Sequence, residues 1–284
     1  MRMVISEPLR PSRDIAAVPL PMCFREAFHD PQTRVIIQWV WPAAQLENSE
    51  QRRSPGTIDV NQTQVESFAD ASVDPPVRGF LHRPEGTASA GMVLTHGAGA
   101  NCQTPLLLAF AATFAAAGLT VLRCNLPFRQ NRPFGPPRPG DAAHDRQGLH
   151  SAAAALRKLV PGRIYLGGHS YGGRQATMLC AEAPELADGL LLLSYPLHPP
   201  RKPEQLRTQH FPALRTPALF VHGTRDPFGS IEEMQSALKL VPGRTVLVRV
   251  EGAGHDLGFK GKAQSEALPG QVLAAFTGEF PPES

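Results

Sequence analysis

From residue 65 onward the hydrophobic positions follow two alternating rhythms. Short, nearly uninterrupted apolar runs occupy residues 92–95, 119–123, 163–169, 189–193, 218–221 and 245–250, with a further run at 76–83. Runs of this kind predict strands buried on both faces, the 76–83 run being an edge strand. Between them, apolar residues recur every three or four positions, the period of an amphipathic helix. Thr104 and Pro105 predict a helix start, and Leu107, Phe110, Phe114 and Ala117 share one face as far as Gly118. A second helix carries Leu149, Ala152, Leu156 and Leu159 inward and stops at Pro161 and Gly162. Ser230 and Glu233 form a capping box for a third, with Ile231, Met234 and Leu238 inward. Further helices are predicted over 171–183 and 264–276. The alternation predicts an α/β fold with a mostly parallel central sheet and helices on both faces.

Residues 1–62 break the pattern, being rich in proline, glutamine, asparagine and charge. They are predicted to be a poorly ordered N-terminal extension, leaving one domain over 63–284. Their one apolar run, 35–41, holds both tryptophans.

Composition narrows the function classes. A hydrophobic fraction of 42% supports a sizeable core, and a net charge of +3 without a long basic run points away from nucleic acid as a partner. The four cysteines show neither a C-x-x-C pair nor metal-ligand spacing, so reduced thiols, no metal, no cofactor and a cytoplasmic location are expected. The longest uncharged stretch, 104–122, is alanine-rich, contains Gly118 and is short for a membrane span, so no membrane partner is expected. Residues 1–13 have prolines and charges where an export signal needs an apolar core.

The chemistry gathers just after the predicted strands. Gly168-His169-Ser170-Tyr171-Gly172 stands between a strand and a helix, where a sharp turn requires residues without side chains on either side of an exposed serine. A serine hydroxyl is a weak nucleophile and needs a base oriented by an acid. His255 follows the last strand and Asp226 the one before it, giving the order nucleophile, acid, base. Asp256 and His169 are poorer candidates for acid and base, each being the immediate neighbour of the residue it would serve. An oxyanion would be held by the Tyr171 amide and by a second amide from the glycine-rich turn after His96, Ala98 before Gly97.

These residues resemble an α/β-hydrolase, and more narrowly the bacterial relatives of the KANL3/Tex30 and dienelactone-hydrolase-like groups. The resemblance rests on Leu94-Thr95-His96-Gly97-Ala98-Gly99, on Gly167 to Arg174, on Gly223-Thr224-Arg225-Asp226 and on Gly254-His255, with Ser194-Tyr195-Pro196-Leu197-His198-Pro199-Pro200 as the narrower marker. It covers residues 75–284 and implies a serine hydrolase acting on a small-molecule ester or acyl substrate. Dienelactone hydrolases use a cysteine where this chain has Ser170. The KANL3 group includes parts of chromatin complexes, so the resemblance also admits a non-catalytic interaction module; the filled serine, aspartate and histidine positions favour the enzyme.

The segment 195–216 is too short for a multi-helix cap, which predicts an open site. Phe128, Arg129 and Arg132, in a loop with five prolines over 125–140, are expected at its rim, where the arginines would favour an anionic acyl group.

Overall fold

A computed structural model describes residues 27–30, 34–38, 64–259 and 267–281. Strands Ala27–Asp30 (β1), Arg34–Gln38 (β2), Gln64–Asp70 (β3), Val77–Arg83 (β4) and Ala90–Thr95 (β5) lead into helix Pro105–Ala116 (α1). Strand Leu119–Cys124 (β6), the short helix Pro127–Asn131 (α2) and the long helix Asp141–Arg157 (α3) follow. Then come Arg163–His169 (β7), Tyr171–Glu182 (α4), Gly189–Leu193 (β8), Ala218–Gly223 (β9), Ile231–Leu238 (α5), Thr245–Val250 (β10) and Leu268–Glu279 (α6).

The ten strands among the described residues lie in one sheet, in the order β1-β2-β10-β9-β8-β7-β5-β6-β4-β3. Every pair from β2 to β6 is parallel, and β1, β4 and β3 run antiparallel at the margins. The period of two in β8 shows how the layers are filled. Leu190 and Leu192 join the core under α3, α4 and α5, while Leu191 and Leu193 join the one under α1 and α6. All four are fully buried, each contributing about 2 kcal/mol of apolar transfer. The chain passes from β5 to β6 in one direction and from β7 to β10 in the other, so the carboxyl ends of β5 and β7 flank the crevice where such sheets bind ligands.

Several details differ from expectation. Thr104 makes no side-chain cap, and α1 begins on Pro105 alone. Leu159 lies beyond the end of α3 and is 40% exposed, since the inward face stops with Leu156. The proline-rich loop contains α2, and the last helix starts at Leu268, the expected 264–266 turn lying outside the described residues. β3 is a mostly exposed edge strand with no apolar run to announce it. Residues 1–62, expected outside the domain, contribute two strands: β2 pairs parallel with β10, Val35 opposite Val246 and Ile37 opposite Val248. Trp39 and Trp41 lie outside the described residues.

Because β2 covers the hydrogen-bonding edge of β10, deleting residues 1–62 is expected to leave a folded 63–284 domain with a lower melting temperature and concentration-dependent self-association. Scanning calorimetry and size-exclusion chromatography test this; an unchanged Tm with a monomeric elution would show that β2 contributes nothing to the sheet.

Candidate active site

β7 ends in two glycines because its neighbours come too close for side chains. A Cβ on Gly167 would stand 2.1 Å from the Leu191 carbonyl oxygen in β8, and one on Gly168 would stand 2.4 Å from the Thr95 oxygen in β5. Gly172, in the first turn of α4, meets the same wall, its added Cβ falling 2.5 Å from Thr95 Cγ2. Between them the chain reverses, and Ser170 takes φ 51° and ψ −115°, a conformation costing about 1–3 kcal/mol for a residue with a side chain. Two bonds hold it there: its N–H donates to the Leu193 carbonyl at 2.8 Å, and its carbonyl accepts from the Arg174 N–H at 3.0 Å.

The loops after β9 and β10 are stitched together before they meet the serine. A Cβ on Gly223 would lie 2.4 Å from the Ala253 oxygen, so its absence lets the second loop fold across the first. Thr224 N–H donates to Val250 O (3.1 Å), Arg225 N–H to Ala253 O (2.9 Å), and Gly252 N–H to Thr224 Oγ1 (2.9 Å). The buried Asp226 accepts the Phe228 N–H on Oδ1 at 2.9 Å and faces His255 Nδ1 with Oδ2 at 2.8 Å. A carboxylate only accepts, so Nδ1 carries the proton and Nε2 turns its lone pair to Ser170 Oγ, 2.8 Å away. Asp256, the poorer candidate, takes the Gly258 N–H instead (3.3 Å).

Two residues that support His255 carry no sequence signal of that role. The Phe228 ring lies 4.2 Å from the imidazole, inclined at 32°. His169 points its Nε2 at the His255 carbonyl oxygen, 2.8 Å away, which requires Nε2 to be the protonated nitrogen. Burial first, and then the neighbouring His255, push His169 down to about 4, so it is neutral near pH 7 and its donor is permanent.

The turn after β5 faces the serine across the crevice. A Cβ on Gly97 would lie 3.5 Å from Ser170 Cβ. The Gly97 carbonyl is held inside the turn by the Ala100 N–H (3.1 Å) and by His96 Nδ1 (2.9 Å), whose other nitrogen accepts from Leu126 N–H (3.1 Å). In a trans peptide the Ala98 N–H therefore points the opposite way from that turn. The Tyr171 N–H, first in α4, has no acceptor within its helix and stands at the helix's positive end. Both amides expected to hold an oxyanion thus lie on backbone flanking Ser170.

The expected rim residues are elsewhere. Phe128 is buried, packed between His96 and Tyr171 at centroid distances of 5.6 and 5.7 Å. Arg129 is 6% exposed and spends its guanidinium on backbone carbonyls: Ala100 (2.7 Å), Ala98 (3.0 Å), Gly135 (2.8 Å) and Arg132 (3.1 Å). It clamps the turn after β5 to the proline-rich loop and offers no free fork to a substrate. Arg132 is paired with Asp141 and donates to Pro136 O at 3.3 Å. α2 turns these side chains inward, which composition alone does not reveal. The only exposed large apolar residue of that loop is Phe134, at 84%.

Among the described residues no group of histidine, cysteine or carboxylate side chains is suited to a metal. Tyr195–Thr216 contains a single 3₁₀ turn, Phe211–Ala213, whose Phe211 is buried against Tyr195 and Phe220.

A protein-family model described as an alpha/beta hydrolase domain matches residues 88–277, and the chain belongs to that family. Solved structures with the same fold include a dienelactone hydrolase from Anabaena variabilis, 20% identical, covering 77% of this chain and 99% of its own, with a TM-score of 0.61. An alpha-beta serine hydrolase homologue from Coxiella burnetii is 17% identical over 74% of this chain and 96% of its own, with a TM-score of 0.60. A serine hydrolase without lid from Xanthomonas campestris is 16% identical over 78% and 96%, with a TM-score of 0.58.

Two expectations follow for stability. Arg129→Met takes a buried donor from four part-buried carbonyls and is expected to cost about 3 kcal/mol in urea unfolding, against less than about 1 kcal/mol for Arg132→Met. His96 and His169 stay neutral in the fold down to about 4, whereas in the unfolded chain they protonate near 6.5. Between these values the unfolded state binds more protons, so stability is complete above pH 6.5 and falls as the pH drops toward 4. His169→Gln, which keeps a donor for the His255 carbonyl, is expected to flatten that acid limb in Tm-against-pH curves; an unchanged slope would contradict the burial of a neutral imidazole.

Proposed function

We propose that this α/β-hydrolase is a serine hydrolase cleaving a carboxylic ester or related acyl bond in a small molecule through an acyl-serine intermediate. The observation that carries the reading is His255 standing between Asp226 and Ser170, 2.8 Å from each. His255 Nε2 takes the Ser170 proton as Oγ attacks the carbonyl carbon, and the new oxyanion is met by the Tyr171 and Ala98 amides. The imidazolium, steadied by Asp226, returns that proton to the leaving oxygen as the C–O bond breaks. Water, deprotonated by the same nitrogen, then attacks the acyl carbon, and the imidazolium passes that proton to Ser170 Oγ as its bond to the acyl carbon breaks. The serine chemistry is also supported by the strained Ser170 backbone, since strain of this kind collects at functional sites.

Cys102, Cys124 and Cys180 are free and buried, which supports a reducing, cytoplasmic setting. No described helix is long and apolar enough to cross a membrane. The narrower kinship with the KANL3/Tex30-like group stays with the stretch from Ser194 to Pro200, and the fully buried Ser194 at φ 52° makes that stretch begin on a second strained serine.

A fluorophosphonate probe tests the reading. Ser170 of the folded wild type is expected to be labelled, with His255→Ala slowing labelling sharply. On p-nitrophenyl acetate, Ser170→Ala should lose roughly 10⁴–10⁶ in kcat and Asp226→Asn about 10⁴. No labelling, or equal labelling of the His255 variant, would leave a non-catalytic interaction module as the function of this fold.

A further inference from the structure

One turn of α4 beyond Ser170, cations converge where their own electrostatics are unfavourable. Arg174 and Gln175 on α4 meet Arg146 on α3, and the Tyr195–His210 part of the β8–β9 connection closes over them. Arg146 Nη1 donates to Gln175 Oε1 at 3.3 Å. Thr177 Oγ1 donates to the Arg174 carbonyl (2.8 Å) and sits 2.8 Å from His210 Nε2. Tyr195 Oη donates to the Arg207 carbonyl at 2.6 Å, and Arg207 Nη1 to Pro196 O at 3.3 Å. Three guanidinium groups thus surround one patch, and the recorded carboxylate there among the described residues is Glu182, 3.4 Å from Arg146 Nε and largely exposed. The mutual repulsion is visible in the neighbours: Arg207 is pushed down by burial and by Arg174, and His210 falls to about 4 through burial, Arg174 and Arg146.

The donors there are not all used. Arg174 Nε and Gln175 Nε2 are buried without a hydrogen-bond partner among the described residues, and Gln175 is wholly buried. A buried donor left unpaired costs about 1–3 kcal/mol, and two on successive residues of α4 within a like-charged cluster call for an acceptor carrying negative charge.

We propose that the cluster of Arg146, Arg174, Gln175 and Arg207 binds a small oxyanion, phosphate or carboxylate, with Arg174 Nε–H and Gln175 Nε2–H as its buried donors. The anion is either free or the charged end of a substrate processed at Ser170, and binding itself needs no reaction at that serine.

Calorimetric titration of the full chain with inorganic phosphate and with glutarate, at constant ionic strength in chloride, tests the site. Saturable binding is expected, weakened about tenfold or more in Arg174→Gln and in Arg207→Gln, retained in Ser170→Ala, and unchanged in Lys202→Gln, an exposed cation of the same connection. If one arginine variant misfolds, the other carries the comparison. No saturable heat, or a loss in Lys202→Gln equal to that in Arg174→Gln, overturns the proposal. Competition by phosphate against hydrolysis of a glutarate monoester supports the substrate's charged end as occupant; binding without such competition supports a free anion. Because Ser170→Ala must still bind, failure of the hydrolase reading and failure of this site are separately visible.

Discussion

The closeness of β7 to the end of β5 is the constraint on which the site depends. Thr95 presents its carbonyl oxygen and its methyl group to the turn, and Gly168 and Gly172 are the two positions where any Cβ would collide with them. With the turn pressed this tightly, Ser170 has no relaxed conformation available, and its positive φ follows from packing. The same closeness sets the Gly97 turn against the serine, so Ser170 and the backbone of that turn share one small volume.

His255, the proposed base, is positioned differently, by loops whose backbones bond to each other. Thr224, Arg225 and Gly252 tie the segments after β9 and β10 into one unit, and His169 then grips the His255 carbonyl from the turn that holds Ser170. Asp226 sets the tautomer, Phe228 covers a face of the ring, and His169 fixes the backbone behind it. Orientation is therefore shared among three elements, each contributing a contact that water would otherwise weaken.

Much of this was legible in the sequence. The parallel core declared itself because strands buried on both faces read as unbroken apolar runs, and Ser170, Asp226 and His255 stood out because each follows such a run. The rest depended on information that local patterning does not hold. β2 is visible as an apolar run, but its partner β10 lies at the far end of the chain, and β3 is too polar to register as a strand. The inward turn of Phe128 and Arg129 is decided by a short helix inside a proline-rich loop, where composition suggested a solvated rim. His169 was visible as a residue, yet its role lies in a contact with the backbone of His255 that spacing cannot encode.

The Arg129 clamp has a further consequence, for how such a protein can change. Its four acceptors are main-chain carbonyls, which every amino acid supplies. The clamp itself therefore places no demand on the side chains of the two loops it tethers beside Ser170. A single buried cation thus leaves substitution in these loops limited by their own packing and not by the bonds that anchor them.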